Sequence, residues 1–460
     1  MEPAPGEGTV ATVSLLDDLH AALAAGDGER ARALAEQLVE EDALLLLEGL
    51  DPAELSRLFV ILGDEALGDL LSRLDDHDAA DILERMSAAQ AADILEELDP
   101  DDATDIFAEV EPALGEGILV EMEPAEAAEI RELMSYPPDT AGGIMTPAFV
   151  AISPNLRADQ TVAALRRVAE EAETINYVYV TDPEDLLLGV LSLHKLVLTP
   201  PDTPVHELMY RDPIAVRVDT DQEAAARILT ERDLLALPVV DQDGRIVGII
   251  TADDVADVLE EEATEDIERL GGSQPLAEPY LRASPSLLFR KRIVWLLVLF
   301  LAQFVTVSIL DHYEGLLAQA TVLSLFIPIL IGTGGNVGSQ TVTTIIRAMA
   351  LGEAAPRHVF RILRKETATG LALGTVMAAL MFIRALLTQD GTAEVGLTVA
   401  ATVLSIAVWA ATVGAILPLA LSKLKVDPAV VSAPFISSFV DGTGLIIYFT
   451  LAQIILDVST

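Results

Sequence analysis

The 460-residue sequence predicts a multidomain chain with three architectures in series: an all-α helical solenoid, an α/β tandem repeat and an α-helical membrane domain of five spans. Three observations carry this reading. A twelve-residue period runs through the first part, a helix–strand–strand–helix pattern occurs twice in the middle, and long uncharged stretches recur from residue 293 onward. The expected boundaries are 1–140 for an acidic helical N-domain, 141–258 for the tandem repeat, 259–284 for a connecting helix and linker, and 285–460 for the membrane domain.

The period shows in Ala79-Ala-Asp-Ile-Leu-Glu, Ala91-Ala-Asp-Ile-Leu-Glu and Ala103-Thr-Asp-Ile-Phe-Ala. Each unit reads as one short amphipathic helix capped by Asp or Ser, and such units must stack to bury their apolar faces. Ahead of them, Met1 to Val13 is acidic and rich in Gly and Pro, without a basic or apolar signal region, so the N-terminus is expected in the cytoplasm.

In the middle, Met145-Thr-Pro opens one unit and Met209-Tyr-Arg-Asp-Pro the other. Each continues through an Ala-rich helix, Thr161 to Glu171 and Asp221 to Glu231. An apolar strand pair follows: Tyr177-Val-Tyr-Val-Thr-Asp with Leu188-Gly-Val-Leu-Ser-Leu, then Leu237-Pro-Val-Val-Asp with Val247-Gly-Ile-Ile-Thr. Each unit closes with a helix beginning at Ser192 or Thr251. This pattern, with its turns at Gly189 and Gly248, resembles a tandem pair of cystathionine-β-synthase (CBS) domains. The resemblance implies a pseudo-dimeric α/β tandem CBS pair and, because such pairs often bind adenine nucleotides, ATP as a ligand.

The first apolar stretch, Ile293 to Leu310, has eighteen residues and no charge, enough for a spanning helix. Others are expected at Leu316 to Ile331, Thr367 to Ile383, Gly396 to Ser422 and Ala429 to Ile455. Bases sit before span one (Arg290, Lys291, Arg292), between two and three (Arg347, Arg357, Arg361, Arg364, Lys365) and between four and five (Lys423, Lys425). The opposite loops, Asp311 to Glu314 and Asp390 to Glu394, hold acids and no base. Arg384, near the outer end of span three, is the exception, and its head can snorkel to the interface. The alternation predicts an N-terminus inside and a C-terminus outside, as for a multi-pass bacterial inner-membrane protein.

Asp441, in SSFVDGTGLIIYFTL, is the only acid well inside a span. A carboxylate at bilayer depth is costly and normally faces a cavity, a partner or an ion. No Lys or Arg lies at comparable depth, so an ion path is favoured over a structural pair. Gly442 and Gly444 beside it permit irregular backbone. The run Gly332-Thr-Gly-Gly-Asn-Val-Gly-Ser-Gln340 either packs helices very closely or forms a pore-lining turn with free carbonyls and the amides of Asn336 and Gln340. Gly334, Asn336 and Ser437 complete the expected pore set around Asp441.

Charge identifies the cargo class. Of 73 acids and 28 bases, nine acids and eleven bases lie from residue 285 onward, which leaves 64 acids against 17 bases in the first 284 residues. Such a surface repels nucleic acid and attracts cations; part of the excess also has the plain reading of solubility in a salty cytoplasm. With no Cys and only six His, the available ligands are oxygens, suited to Mg²⁺, Ca²⁺ or Mn²⁺. One carboxylate is too little for a dehydrated Mg²⁺. In a two-fold homodimer, two copies of Asp441 would hold a largely hydrated ion through its waters.

Acidic helical N-domain, CBS pair, connecting helix with ATEDI at Ala263 to Ile267, and five spans carrying GTGGNVGSQ and SSFVDGTGLIIY together resemble the MgtE magnesium channel family. The resemblance implies a homodimer in the lipid bilayer that conducts Mg²⁺ inward and closes when cytoplasmic Mg²⁺ bridges its parts. By that resemblance Asp441 is the pore carboxylate, and Asp101, Asp105, Glu223, Asp233, Asp254, Asp257, Glu262, Glu265, Asp266 and Asp427 fall where regulatory ligands lie. Spacing adds that Asp101 and Asp105, like Asp254 and Asp257, share a helix face, where like charges repel unless a cation intervenes. Each acid could equally be part of a solvated surface, and Asp427, before Pro428, also fits a helix N-cap.

The chain departs from the family pattern at Ser339 and Ala433, where Asn is expected, which bears on strict Mg²⁺ preference. A coupled carrier of Mg²⁺, Mn²⁺ or Co²⁺ and a membrane-tethered nucleotide-sensing CBS receptor are the competing readings. The first would use titratable groups in several spans, and the second leaves Asp441 unexplained. No catalytic carboxylate pair, phosphate-cradling loop or Ser-His arrangement points to an enzyme.

Overall fold

The computed structural model describes residues 18, 21–22, 25–35, 47, 50, 52–169, 172–276, 280–389 and 391–457. The Met1 to Val13 stretch, the helix end expected at Glu171, and Asp390 lie outside them. The chain divides into two compact units, Met1–Glu260 and Glu261–Thr460.

The first unit begins with α1 (Gly28–Ala35), α2 (Pro52–Leu62) and α3 (Asp64–Leu71), followed by α4 (Asp76–Leu83), α5 (Ala88–Leu95), α6 (Pro100–Glu109), α7 (Pro112–Glu121) and α8 (Pro124–Leu133). The N-cap positions of α4 to α8 are Asp75, Ser87, Asp99, Glu111 and Glu123, so the twelve-residue period persists for two units beyond the three legible in sequence. In those last units Pro112 and Pro124 mark the helix start, as Pro100 does in α6, while the Ala-Asp-Ile signature is gone. The Ser87 hydroxyl and the Gln90 side chain form a reciprocal capping box, and Asp75 accepts from the His77 amide. Each helix packs on the one two places along, α4 on α6 and α5 on α7. Glu84 and Glu96, twelve residues apart at the ends of α4 and α5, accept the backbone N–H of Glu111 (2.7 Å) and Glu123 (2.5 Å). The repeat therefore caps itself: a carboxylate at one helix end satisfies an orphan donor at the start of the helix three places along. Ile82, Leu83, Ile94, Leu95 and Ile106 form the buried stripe beneath.

The tandem repeat comprises β1 (Ala151–Ile152), α9 (Ala158–Val168), β2 (Tyr177–Thr181), β3 (Leu187–Ser192), α10 (Leu193–Val197), α11 (Val205–Leu208) and β4 (Tyr210–Arg211), then β5 (Val216–Arg217), α12 (Gln222–Glu231), β6 (Ala236–Val240) and β7 (Ile246–Thr251). The sheets run β1-β2-β3-β4 and β5-β6-β7, each with one parallel and then antiparallel pairing. Their hairpins superpose at a fixed offset: Tyr177 pairs with Ser192 as Ala236 pairs with Thr251, and both carry an irregularity near the same place, at Val180 and Val239. The opening methionines are exchanged between the units. Thr146 pairs with Ile249, and a Cβ on Gly248 would lie 2.7 Å from the Met145 sulfur; a Cβ on Gly189 would lie 3.0 Å from that of Met209. Met145 thus closes the second sheet and Met209 the first, so the two units interlock rather than follow one another.

The second unit begins within α13 (Ala252–Leu270) and continues with α14 (Pro285–His312), α15 (Glu314–Gln319), α16 (Ile327–Ala350), α17 (Val359–Leu386), α18 (Ala393–Lys423) and α19 (Ala433–Leu456). Five segments are long and apolar enough to cross a membrane: Pro285–His312, Thr321–Ala350, Pro356–Leu386, Ala393–Lys423 and Ala433–Leu456. The second lies further along than the expected Leu316 to Ile331, because a short helix and a 3₁₀ turn occupy residues 314–326. In consequence the glycine run sits inside span two, not at its end.

That run is not a turn. Residues 332–340 are continuous α-helix, their carbonyls engaged in the helical ladder, and the same holds for Gly442 and Gly444 in α19. Close packing is the reading that stands. A Cβ on Gly338 would lie 2.5 Å from Ile436, one on Gly334 2.7 Å from Val440, and one on Gly335 3.0 Å from the Ser437 hydroxyl. The glycines bring α16 against α19 with no side chain between them.

Gly248→Ala pushes a methyl into Met145 and the Thr146 carbonyl and should cost about 1–3 kcal/mol. Gly117→Ala, whose Cβ meets only Ala88 at 3.7 Å, should instead gain up to about 1 kcal/mol. Hydrogen exchange on the intact protein reads both, as faster exchange across β7 for the first and slower exchange in α7 for the second.

Candidate functional site

In the first unit the stacking of α6 and the start of α13 gathers carboxylates away from water. Asp101, on the first turn of α6, is only 8% exposed, and its Oδ1 accepts no hydrogen bond. Burial pushes its carboxyl well above the usual range, reinforced by the charges of Asp254, Asp102 and Glu173. Asp254, also raised by burial, is fixed at the start of α13 by the backbone N–H and hydroxyl of Thr251, both at 2.8 Å. Thr251 also donates to Asp253 at 2.5 Å.

Four members of this cluster, Asp99, Asp102, Asp253 and Glu173, were invisible to spacing arguments. Burial, with Asp99 and Asp254 as the leading charges, raises Asp102 to about 7. Glu173, in the loop before β2, is likewise raised to about 7 by burial and then by Asp99, Asp254 and Asp253. Its Oε2 is buried without a partner. No period or helix face links residue 173 to α6; a Glu in an otherwise polar AETIN loop was the sole signal. Every charged group that acts on these carboxyls is itself an acid.

The structure unites Asp101 with Asp254 but leaves their spaced partners outside. Asp105 and Asp257 are exposed, one turn away on the same helices. Glu223 is on the first turn of α12, paired with Arg227 at 3.8 Å, and Asp233 follows that helix in the left-handed region with φ 50°. Glu262, Glu265 and Asp266 lie along α13. Within the second unit, Arg269 forms ion pairs with both Glu265 and Asp427. Asp427 also caps the short 3₁₀ turn Pro428–Val430 by accepting the Ala429 N–H at 2.8 Å, as an N-cap should. A cation bound by Glu265 and Asp427 must therefore displace a guanidinium. Among the described residues no three acidic or His side chains converge into a ready-made metal cage. The buried cluster suits an ion that keeps its waters and binds through them, as Mg²⁺ does.

In the membrane helices Asp441 lies mid-way along α19, half-buried, with Oδ1 enclosed and unpartnered and no ion pair to any described base. Ser437, one turn earlier on the same face, meets the Ser339 hydroxyl at 3.2 Å, and Ser339 donates to the Ala433 carbonyl at 3.3 Å. The two positions that depart from the family pattern thus touch each other. Gly334 is buried in the α16–α19 contact against Val440, where it serves packing, whereas Asn336 is exposed on the other side of α16. The structure joins Gly334 and Ser437 to one helix contact and leaves Asn336 apart from it.

Residues 327–451 match the family described as MgtE, divalent cation transporter; residues 38–139 match the MgtE intracellular N domain and 205–261 a CBS domain. The magnesium transporter MgtE of Thermus thermophilus is 43% identical over 330 residues, covering 72% of this chain and 73% of that one. The chain belongs to the MgtE family. The MgtE of Bacillus subtilis is 35% identical over 331 residues, covering 71% and 72%. A crystal structure of the soluble part of a magnesium transporter superposes with a TM-score of 0.51 at 33% identity, covering 55% of this chain and 99% of that one. MgtE proteins are transporters rather than enzymes, and the five apolar helices here fit a multi-pass membrane protein. The fold expected from sequence, a helical N-terminal part, a CBS pair and five membrane helices, is the fold observed.

Raised carboxyl pKa values mean that the folded first unit binds more protons than its unfolded chain. The stability that these groups contribute is full below about pH 4, the unfolded carboxylate range, and is lost as pH rises through about 7, where Asp102 and Glu173 ionise. In chelator, raising pH from 6 to 8 should lower the unfolding midpoint of this unit, and Glu173→Gln should flatten the dependence. A midpoint indifferent to pH over that window would contradict the geometry.

Proposed function

We propose that this chain forms a homodimeric Mg²⁺ channel whose pore is built on Asp441 and which closes when cytoplasmic Mg²⁺ fills the buried acidic cluster. The observation that carries the pore is the lone mid-span carboxylate with an enclosed, unpartnered oxygen and no basic neighbour. Such a group is retained in a membrane where it meets a cation. Two copies across a two-fold axis would present a charge of about minus two to a hydrated ion. Ser437, one turn along the same face, would hold its waters, and Gly334 would set the helix spacing behind it. Asn336 stays in the proposed set as a residue that contacts the ion path only if α16 also faces the axis.

Regulation is assigned by the same chemistry. Asp101 and Asp254, with Asp102 and Glu173, form a group of like charges withdrawn from water and flanked by the exposed Asp99 and Asp253, and a divalent cation would neutralise it. Asp105 and Asp257 would extend it at the surface, while Glu223, Asp233, Glu262, Glu265, Asp266 and Asp427 are the proposed outer ligands. Occupancy favours whichever state brings the carboxylates together, and that state is taken as closed. The basic loops put the first unit and the N-terminus in the cytoplasm and the C-terminus outside. The domain limits 1–140, 141–258, 259–284 and 285–460 remain the working division.

ATP is proposed for the open pocket of about 520 Å³ lined by Asn176, Tyr177, Ser192, His194 and Leu235, among others, in which the Tyr177 ring would stack on adenine. Asp441 is the only acid in mid-span, which argues for a channel over a proton-coupled carrier.

In proteoliposomes, Asp441→Ala should lower Mg²⁺ flux by at least about tenfold, the factor expected from losing about 1.4 kcal/mol of ion stabilisation. Full flux in both Asp441→Ala and Asp441→Asn would overturn the pore assignment. A series with Mn²⁺, Ca²⁺ and Co²⁺ on the same vesicles defines the ion preference set by Ser339 and Ala433.

A further inference from the structure

Span one contributes a polar side chain that the reading above leaves without a role. Between Ile293 and Leu310 the helix α14 is apolar except for Gln303, Thr306 and Ser308. Ser308 satisfies itself on the Phe304 carbonyl of its own helix at 2.9 Å. Thr306 is buried, and a Cβ on Gly442 would lie 3.7 Å from its hydroxyl and the same distance from Ile309, so span one packs on span five beside Asp441. Gln303 is three residues before Thr306, on the same helix face. Its side-chain amide donates from Nε2 to the Ser438 hydroxyl at 3.4 Å, three residues before Asp441 on α19, which sets the amide beside the Asp441 carboxylate.

An amide is an unusual partner for a membrane carboxylate. Lys or Arg would cancel the charge, whereas an amide N–H supports the carboxylate and leaves the charge in place for an ion. Engaging one side of the group also restricts the side chain's rotation. The other oxygen, Oδ1, is then held in a fixed place, enclosed and with no protein partner. We propose that Gln303 is a positioning residue for the Asp441 carboxylate, and that by fixing it Gln303 sets the discrimination between Mg²⁺ and larger divalent cations. The proposal rests on Asp441 being the pore carboxylate.

The link to selectivity is geometric. Mg²⁺ keeps a near-ideal octahedral water shell and needs its outer oxygen acceptors in fixed places, whereas Ca²⁺ sheds water readily and accepts irregular ligand sets. A carboxylate free to swing penalises the ion that needs order more than the ion that does not. Gln303 does not touch the ion in this scheme; it acts through Asp441.

The test is Mg²⁺ and Ca²⁺ flux through the full-length protein in proteoliposomes, for wild type, Gln303→Leu, Gln303→Asn and Asp441→Ala. Loss of the amide is expected to raise the half-saturating Mg²⁺ concentration about tenfold, as for one hydrogen bond to a charged group, and to shift the Ca²⁺-to-Mg²⁺ flux ratio toward Ca²⁺. Gln303→Asn, whose amide is one methylene short, should behave like Gln303→Leu while keeping a polar side chain in the helix contact, so a purely structural role would spare it. If both variants keep the wild-type ratio and half-saturation to within about twofold while Asp441→Ala abolishes flux, this proposal is wrong and the pore reading survives. If Asp441→Ala conducts normally, the pore reading itself has failed.

Discussion

Carboxylates withdrawn from water without a base to meet them are the constraint on which this structure turns. A buried acid normally finds a Lys, an Arg or several N–H donors. Around Asp101 the neighbours are more acids, and Thr251 alone supplies donors, to Asp253 and Asp254. The twelve-residue stacking of the N-terminal helices produces this burial as a by-product of its own cohesion. The same stacking packs α6 on α4 and α8, and α6 carries Asp101 and Asp102 close to Asp254 at the start of α13. At this cluster like charges face one another, and protons or a divalent cation would offset them.

The membrane helices show the same economy with a single charge. Glycines at 334, 335 and 338 let α16 approach α19 closely, and span one sets an amide, and no base, beside Asp441. A negative charge is thereby kept at mid-span instead of being paired away. Because one carboxylate can do little for an ion that holds its waters, the arrangement makes chemical sense in a two-fold assembly.

Much of this was legible in the sequence, and the reasons differ by element. The five spans and the CBS hairpins follow from composition and period, but spans one and three begin eight and eleven residues before their expected starts, at Pro285 and Pro356, and in span two residues 314–326 form a short helix and a 3₁₀ turn ahead of the long helix. The glycine run is ambiguous by nature: the same lack of side chains serves a turn or a tight helix pair, and only the partner helix, with Ile436 and Val440 facing it, decides. The exchange of Met145 and Met209 between sheets was hidden because a two-residue bridge has no sequence signature. At the acidic cluster, spacing on one helix found Asp101 and Asp254 but also nominated Asp105 and Asp257, which the structure leaves exposed. Glu173 reaches the cluster from a loop some seventy residues from α6, a tertiary event that no local pattern records. Arg269, the partner of both Glu265 and Asp427, was missed for the same reason.

The account stands or falls on whether filling the acidic cluster closes the pore. The direct measurement is Mg²⁺ flux through the intact protein as Mg²⁺ is raised on the side that faces residues 1–260, in wild type and in an Asp101→Asn, Asp254→Asn double variant. Flux should fall as the cluster fills in wild type, and that fall should be lost in the double variant. A wild-type flux indifferent to this Mg²⁺, or a fall fully retained when both carboxylates are gone, would contradict it.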